Sequence, residues 1–186
     1  MKPIKYKKDL ETTVNEIRNW SFSYLEKYSA SKQQLKTYLL KKILKKSLSP
    51  VNKKEVHNLI DTVISSLENQ KFVSDKYYSD YKSKVFYKRG YSLNKIRYNL
   101  ISKGIDQKYI KDSISKIKEN ESDPDFFSAI KLCKRRRIGP SREESNRTLF
   151  FKKDISILAR AGFSYDISKK VLDIPKSEFL KFCKMI

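Results

Sequence analysis

At 186 residues the chain has room for one compact domain or a row of small units. Apolar residues make up 39%, below the usual globular share, so the core is thin and favours an elongated stack over a sphere. The 42 Lys and Arg against 21 Asp and Glu leave +21 at pH 7, which points to a polyanionic partner: nucleic acid, nucleoprotein or an anionic surface. No apolar run approaches the roughly 20 residues that cross a bilayer, and the opening MKPIKYKKDLETTV lacks the apolar centre of a signal peptide. A soluble, cytoplasmic protein is therefore expected.

In chain order the pattern predicts helices over 9–28, 31–46, 53–70, 75–89, 92–103, 107–119, 123–137, 146–161, 164–173 and a tail helix over 176–184. The second carries Leu35, Tyr38, Leu39, Ile43 and Leu44 at helical spacing. The third carries one apolar stripe, Val56, Leu59, Ile60, Val63, Ile64 and Leu67. Leu93, Ile96, Leu100 and Ile101 continue the pattern, then Ile110, Ile114 and Ile117. There is no sustained two-residue alternation and no Asn-Gly or Asp-Gly turn, so the fold class is all-α. Ser31, Ser92, Asp106, Asp123 and Ser164 stand at N-cap positions, with Pro124 just inside its helix. Gly90, Gly104 and Gly162 stand at C′ positions, and Pro50 and Gly139-Pro140-Ser141 mark loops.

Two of the four glycines share a context. Lys88-Arg89-Gly90-Tyr91-Ser92 and Arg160-Ala161-Gly162-Phe163-Ser164 both read as a basic helix end, a glycine, an aromatic and a serine cap. Tyr28 to Leu39 is a weaker instance without the glycine. This recurrence divides the chain into three-helix units at 1–72, 73–121 and 122–186, the first preceded by a basic N-terminal region and the last followed by the tail helix.

Little in the chain offers catalysis. His57, the single histidine, lies beside an apolar stripe with no carboxylate or Cys neighbour, so no Ser-His-Asp or Cys-His set can be assembled. There is no phosphate-binding glycine loop and no HExxH. Cys133 and Cys183 lack metal-ligand spacing and read as reduced thiols. The carboxylates of Asp123, Asp125, Glu143 and Glu144 sit at helix starts, where they favour the dipole. A non-enzymatic protein without cofactor or metal is expected.

The basic segments are more informative. Of nine arginines, five fall between Arg135 and Arg147. Lys131 to Arg142, KLCKRRRIGPSR, holds six cations and no acid. The run Lys134, Arg135, Arg136, Arg137 surrounds a helix rather than lining one face, and an anionic partner would relieve its self-repulsion. Lys36 to Lys54 holds seven cations, spaced as on any exposed helix face. Tyr77, Tyr78, Tyr81, Tyr87, Tyr91 and Tyr98 crowd the middle unit; most are expected to serve the core, with base stacking as the alternative.

These residues resemble the RecX family of regulators of the RecA recombinase. The resemblance rests on SDKYYSDY (74–81), KRGYSLNKIRYNLISKGID (88–106), KRRRIGP followed by Arg142, and FFKKDISILARAGFSYDISKKVL (150–172). It covers 75–173 well and 20–70 only in helix pattern. It implies three tandem three-helix repeats in a curved, basic stack, acting as a monomer in DNA repair, homologous recombination and the SOS response. Such a protein docks in the groove of the RecA–single-stranded DNA filament and limits its growth, ATP hydrolysis and strand exchange, contacting the single-stranded DNA within it, with no membrane involved. Lys88, Arg89, Lys95, Arg97, Lys134, Arg135, Arg136, Arg137, Arg142, Arg147, Arg160 and Lys169 are the expected contacts, with Arg135, Arg136, Arg137 and Arg142 the strongest. The competing reading is a basic helix-turn-helix protein acting directly on DNA, with Ser92–Lys103 as its recognition helix.

Overall fold

The computed structural model describes residues 14–46 and 53–186. Among them the backbone forms ten α-helices, one 3₁₀ turn and no strand, as expected of an all-α chain. The helices are α1 (Val14–Leu25), α2 (Lys32–Lys46), α3 (Lys53–Asn69), α4 (Asp75–Lys88), α5 (Leu93–Ile101), α6 (Gln107–Asn120), α7 (Pro124–Arg136), α8 (Glu144–Arg160), α9 (Tyr165–Leu172) and α10 (Lys176–Met185). The 3₁₀ turn, Gly139–Ser141, lies between α7 and α8. The predicted start of the first helix at residue 9 and the loop at Pro50 lie outside the described residues. Contacts divide the chain into two compact units, Met1–Tyr78 and Ser79–Ile186.

In the first unit, α1, α2 and α3 meet around Ile17, Leu35, Leu39, Ile43, Val56, Ile60, Val63 and Leu67, all buried. The stripes that predicted α2 and α3 are the faces that close this core, apart from exposed Leu44. Ser31 and Gln34 form a reciprocal capping box at the start of α2, 3.2 and 3.3 Å. The buried Asp75 carboxylate accepts a further first-turn amide of α2, that of Lys32, at 2.9 Å. The ammonium nitrogens of Lys42 and Lys46 stand 4.6 and 4.8 Å from the Trp20 ring centroid.

In the second unit, Phe126, Ala129, Ile130, Leu132, Cys133, Ile138, Leu158, Phe163, Val171 and Leu172 form a core drawn from α7, α8, α9 and the turns between them. Ile96 and Leu100 of α5 and Ile110 and Ile114 of α6 are buried as the sequence predicts. Serine and aspartate recur here in the roles they play at α2. Ser92 caps the Lys95 amide at 3.1 Å, and Asp125 accepts the Leu93 amide at 2.7 Å.

The glycine corners close by a common bonding scheme. After α4 the Tyr91 amide reaches the Phe86 carbonyl at 3.1 Å while the Gly90 amide reaches that of Tyr87 at 2.9 Å. After α8, Phe163 reaches Leu158 at 3.2 Å and Gly162 reaches Ala159 at 2.8 Å. This pairing needs a left-handed residue at C′, and Gly90 and Gly162 have φ of +73° and +89°. Space demands glycine as well. A Cβ on Gly90 would lie 2.8 Å from the Ser128 carbonyl oxygen and 2.9 Å from the Leu132 nitrogen of α7. A Cβ on Gly162 would lie 2.5 Å from the Ser92 hydroxyl that caps α5. Each corner is thus pressed against the backbone or cap of another helix, and Ala161 accepts a hydrogen bond from the Ser92 hydroxyl at 3.0 Å.

A candidate polyanion-binding surface

The Gly90 corner sets exposed Lys88 and Arg89 beside α7, where Lys131 Cβ would stand 3.2 Å from a Cβ on Gly90. The Lys131 ammonium sits 4.2 Å from the centroid of the Tyr87 ring, and the Tyr87 hydroxyl donates to Glu121 at 3.2 Å. Burial lowers the Lys131 pKa, against the opposing pull of Glu121. Lys131 is a cation of this surface that the sequence reading left out of its contacts; its place in the KLCKRRR run was the available signal. At the second corner, a Cβ on Gly162 would lie 3.0 Å from Lys95 Cβ, so the corner that follows Arg160 abuts α5 at Lys95. Arg160 and Lys169 are exposed, whereas Lys95 and Arg97 are half-buried on α5.

The arginine-rich segment separates into two groups. Arg135, Arg136 and Arg137 are exposed at the C-terminal end of α7, and among the described residues their guanidinium groups have no ion pair. They begin one helical turn beyond Lys131, a rise of about 6 Å. Lys134 is exposed too, but its ammonium donates to the Cys183 carbonyl of α10 at 2.9 Å.

Arg142 and Arg147 have other work. Arg142 grips the buried Asp154 carboxylate with Nε and Nη2, both at 2.8 Å, and its guanidinium lies 4.6 Å from the Phe150 ring centroid. The Asp154 carboxylate also accepts the Gly139 amide at 2.8 Å. Arg147 Nη2 donates to the Leu172 and Ile174 carbonyls at 2.7 and 2.8 Å, satisfying groups left open at the end of α9. Arg142, expected among the strongest external contacts, is therefore engaged inside the fold, because a fork that matches phosphate matches a buried carboxylate equally well.

The tyrosines also depart from expectation. Tyr78 is buried and Tyr87 and Tyr91 are half-buried, but Tyr77, Tyr81 and Tyr98 are exposed. Only half of them serve the core.

Among the described residues no three His, Cys, Asp or Glu side chains gather as a metal site would require. A cavity of ≈ 780 Å³ beside α8 includes Arg147 and Asp154 in its wall, both already hydrogen-bonded within the fold. No helix among the described residues is long and apolar enough to cross a membrane.

The geometry defines an all-helical protein of short helices that exposes, at one helix end, cations without an ion pair among the described residues. Comparison with known proteins gives this class a family context. Over 163 residues, 84% of each chain, the sequence is 28% identical to the regulatory protein RecX of Myxococcus xanthus (strain DK1622). It is 27% identical over 146 residues to the regulatory protein RecX of Clostridium perfringens (strain SM101 / Type A) and 31% identical over 121 residues to that of Clostridioides difficile (strain 630). These matches span 66% and 53% of the two relatives' lengths. No protein-family profile matches the chain. The crystal structure of RecX from Lactobacillus salivarius superposes with a TM-score of 0.58 at 17% identity, covering 95% of this chain and all of that one. A second crystal structure, of regulatory protein RecX, gives 0.57 at 19% identity, covering 87% of this chain and 74% of the other. At such identities the two structures speak to the fold, and the fold they share is this one. The resemblance to RecX read from the motifs is borne out.

Proposed function

We propose that this chain is a non-enzymatic regulator of the RecX type, which docks on a RecA–single-stranded DNA filament and limits its growth, ATP hydrolysis and strand exchange. The observation that carries this reading is the similarity to one RecX regulatory protein over 84% of the chain. Arg135, Arg136 and Arg137, exposed and without an ion pair among the described residues, give it a physical means. A filament groove is lined by protein and by DNA phosphates, and a chain of charge +21 with outward-facing arginines complements it. Lys88, Arg89, Lys95, Arg97, Lys134, Arg160 and Lys169 add weaker contacts whose sum grows through multivalency. Arg142 and Arg147 act by holding the loop and helix ends that carry the surface.

The organisation that goes with this role is a set of three tandem three-helix repeats in a cytoplasmic monomer, divided as the sequence divides them. The matching serine and aspartate caps on α2 and α5, and the matching glycine corners after α4 and α8, support that division.

Direct reading of DNA by α5 has less support. The first turn of a recognition helix must reach base edges, yet here the Ser92 amide and hydroxyl face the Ala161 carbonyl and Gly162 abuts Lys95.

The test is RecA ATP hydrolysis on single-stranded DNA with and without the protein, beside a titration of bare DNA in the same buffer. Reduced hydrolysis at protein concentrations too low to coat the DNA is the expected result. Replacing Arg135, Arg136 and Arg137 together by Ala should weaken that effect while circular dichroism stays unchanged. Unchanged hydrolysis, with tight and salt-sensitive binding to bare DNA, would favour the direct DNA binder.

A further inference from the structure

Among the described residues, five helix ends close on a left-handed C′ residue. Three are glycines, and the others are Lys71 and Arg137, with φ of +63° and +53°. An L-residue is strained in this region, and glycine holds it without that strain. The Arg137 side chain does not offset this strain, since it is exposed and its guanidinium has no ion pair among the described residues.

The surroundings of Arg137 nonetheless fix it. Before it, the amide of Arg137 donates to Lys134 and that of Ile138 to Cys133, at 3.4 and 3.1 Å. After it, Ile138, Gly139 and Pro140 are buried. The Gly139 amide is tied to Asp154, which Arg142 holds with two bonds, and the Ser141 hydroxyl returns to the Cys133 carbonyl at 3.2 Å. Lys71 has the same backbone conformation, but exposed Phe72 follows it.

Arg137 is therefore a rigidly based cation off the helical course of Arg135 and Arg136, since left-handed backbone does not continue the helical direction of the side chains before it. We propose that Arg137 is the anchoring contact of the triplet, presented by its left-handed backbone to a phosphate of the single strand, and that Arg135 and Arg136 supply diffuse charge around it. An unbroken single-sign run is the footprint of a polyanion, and a strained backbone conformation held in place by its surroundings is a feature that clusters at ligand-binding sites. This proposal rests on the reading of the triplet as a surface that meets the filament's DNA.

The experiment compares Arg137→Gly, Arg135→Ala and Arg136→Ala with the parent in three measurements. These are affinity for a fluorescein-labelled single-stranded oligodeoxythymidylate, inhibition of RecA ATP hydrolysis, and thermal midpoint. Arg137→Gly should weaken oligonucleotide binding about tenfold and the other two about two- to threefold each. The thermal midpoint of Arg137→Gly should equal or exceed that of the parent, because glycine relieves the strain. Similar losses for all three variants overturn the proposal, leaving net charge as the only factor. A lower midpoint for Arg137→Gly overturns the strain argument. Lost RecA inhibition with unchanged oligonucleotide affinity overturns the phosphate assignment. A parent that binds the oligonucleotide but leaves RecA hydrolysis unchanged would instead refute the filament reading, while the ranking of the three variants still judges Arg137.

Discussion

Replacing Gly90 by Ala tests whether the recurring glycines are there for backbone freedom alone or for close contact as well. The new Cβ would meet the Ser128 carbonyl oxygen at 2.8 Å, the Leu132 nitrogen at 2.9 Å and Lys131 Cβ at 3.2 Å. Two of these are helical backbone atoms of α7, which cannot swing aside as a side-chain end can. The left-handed conformation costs an alanine about 1 kcal/mol, and overpacking adds roughly 1–3 kcal/mol. A loss of about 3 kcal/mol is expected, enough to lower the melting temperature of a unit this size by roughly 10 °C. Gly104→Ala is the control, since exposed Gly104 shares the +73° φ and should lose only the conformational part, about 1 kcal/mol. Urea denaturation followed by circular dichroism measures both variants against the parent. Equal losses at Gly90 and Gly104, within about 0.5 kcal/mol, would show that the contact with α7 contributes nothing and would refute the close-approach argument.

Two further predictions concern titration and thiol chemistry. Burial holds the Asp125 carboxyl above its usual 3.8, against the Leu93 amide, which favours the carboxylate. The folded state then binds this proton more tightly than the unfolded chain. Its stabilising contribution is full below the usual value and falls as pH rises through the raised one. Asp125→Asn keeps an acceptor for Leu93 and removes the titration, so its stability relative to the parent should climb between about pH 4 and pH 7; urea midpoints across that range giving a flat or falling difference would contradict the assignment. Burial pushes the Cys133 thiol up to about 12, with Asp154 and Cys183 adding to the rise. Its thiolate fraction at pH 8 is about 10⁻⁴, so an aromatic disulfide reagent should modify Cys133 only as the protein unfolds. Half-buried Cys183 should react in the native state, though more slowly than a free thiol because burial raises its pKa too. Rapid native modification of both would contradict the packing of α7 against α10.

Features that depend on neighbours within a helical turn or two were legible in the residue order. Ten helices, the stripes of α2 and α3 and the Ser92, Asp106, Asp123 and Ser164 caps were legible because spacing and capping chemistry are local. So was the need for positive φ at Gly90 and Gly162, since each corner is written in five adjacent residues. Which cations stay available was set by packing between segments distant along the chain. Arg142, Arg147 and Arg137 look alike in the sequence, but Asp154 takes the first, the end of α9 takes the second, and the third is left facing solvent. The exposure of Tyr77, Tyr81 and Tyr98 was equally hidden, because helical spacing shows that a face exists and not what covers it. The packing of Gly90 on α7 and of Gly162 on the cap of α5 joins segments distant along the chain. A glycine that bends the backbone and one that also admits a second helix have the same letter, and only the neighbour brought there by folding tells them apart.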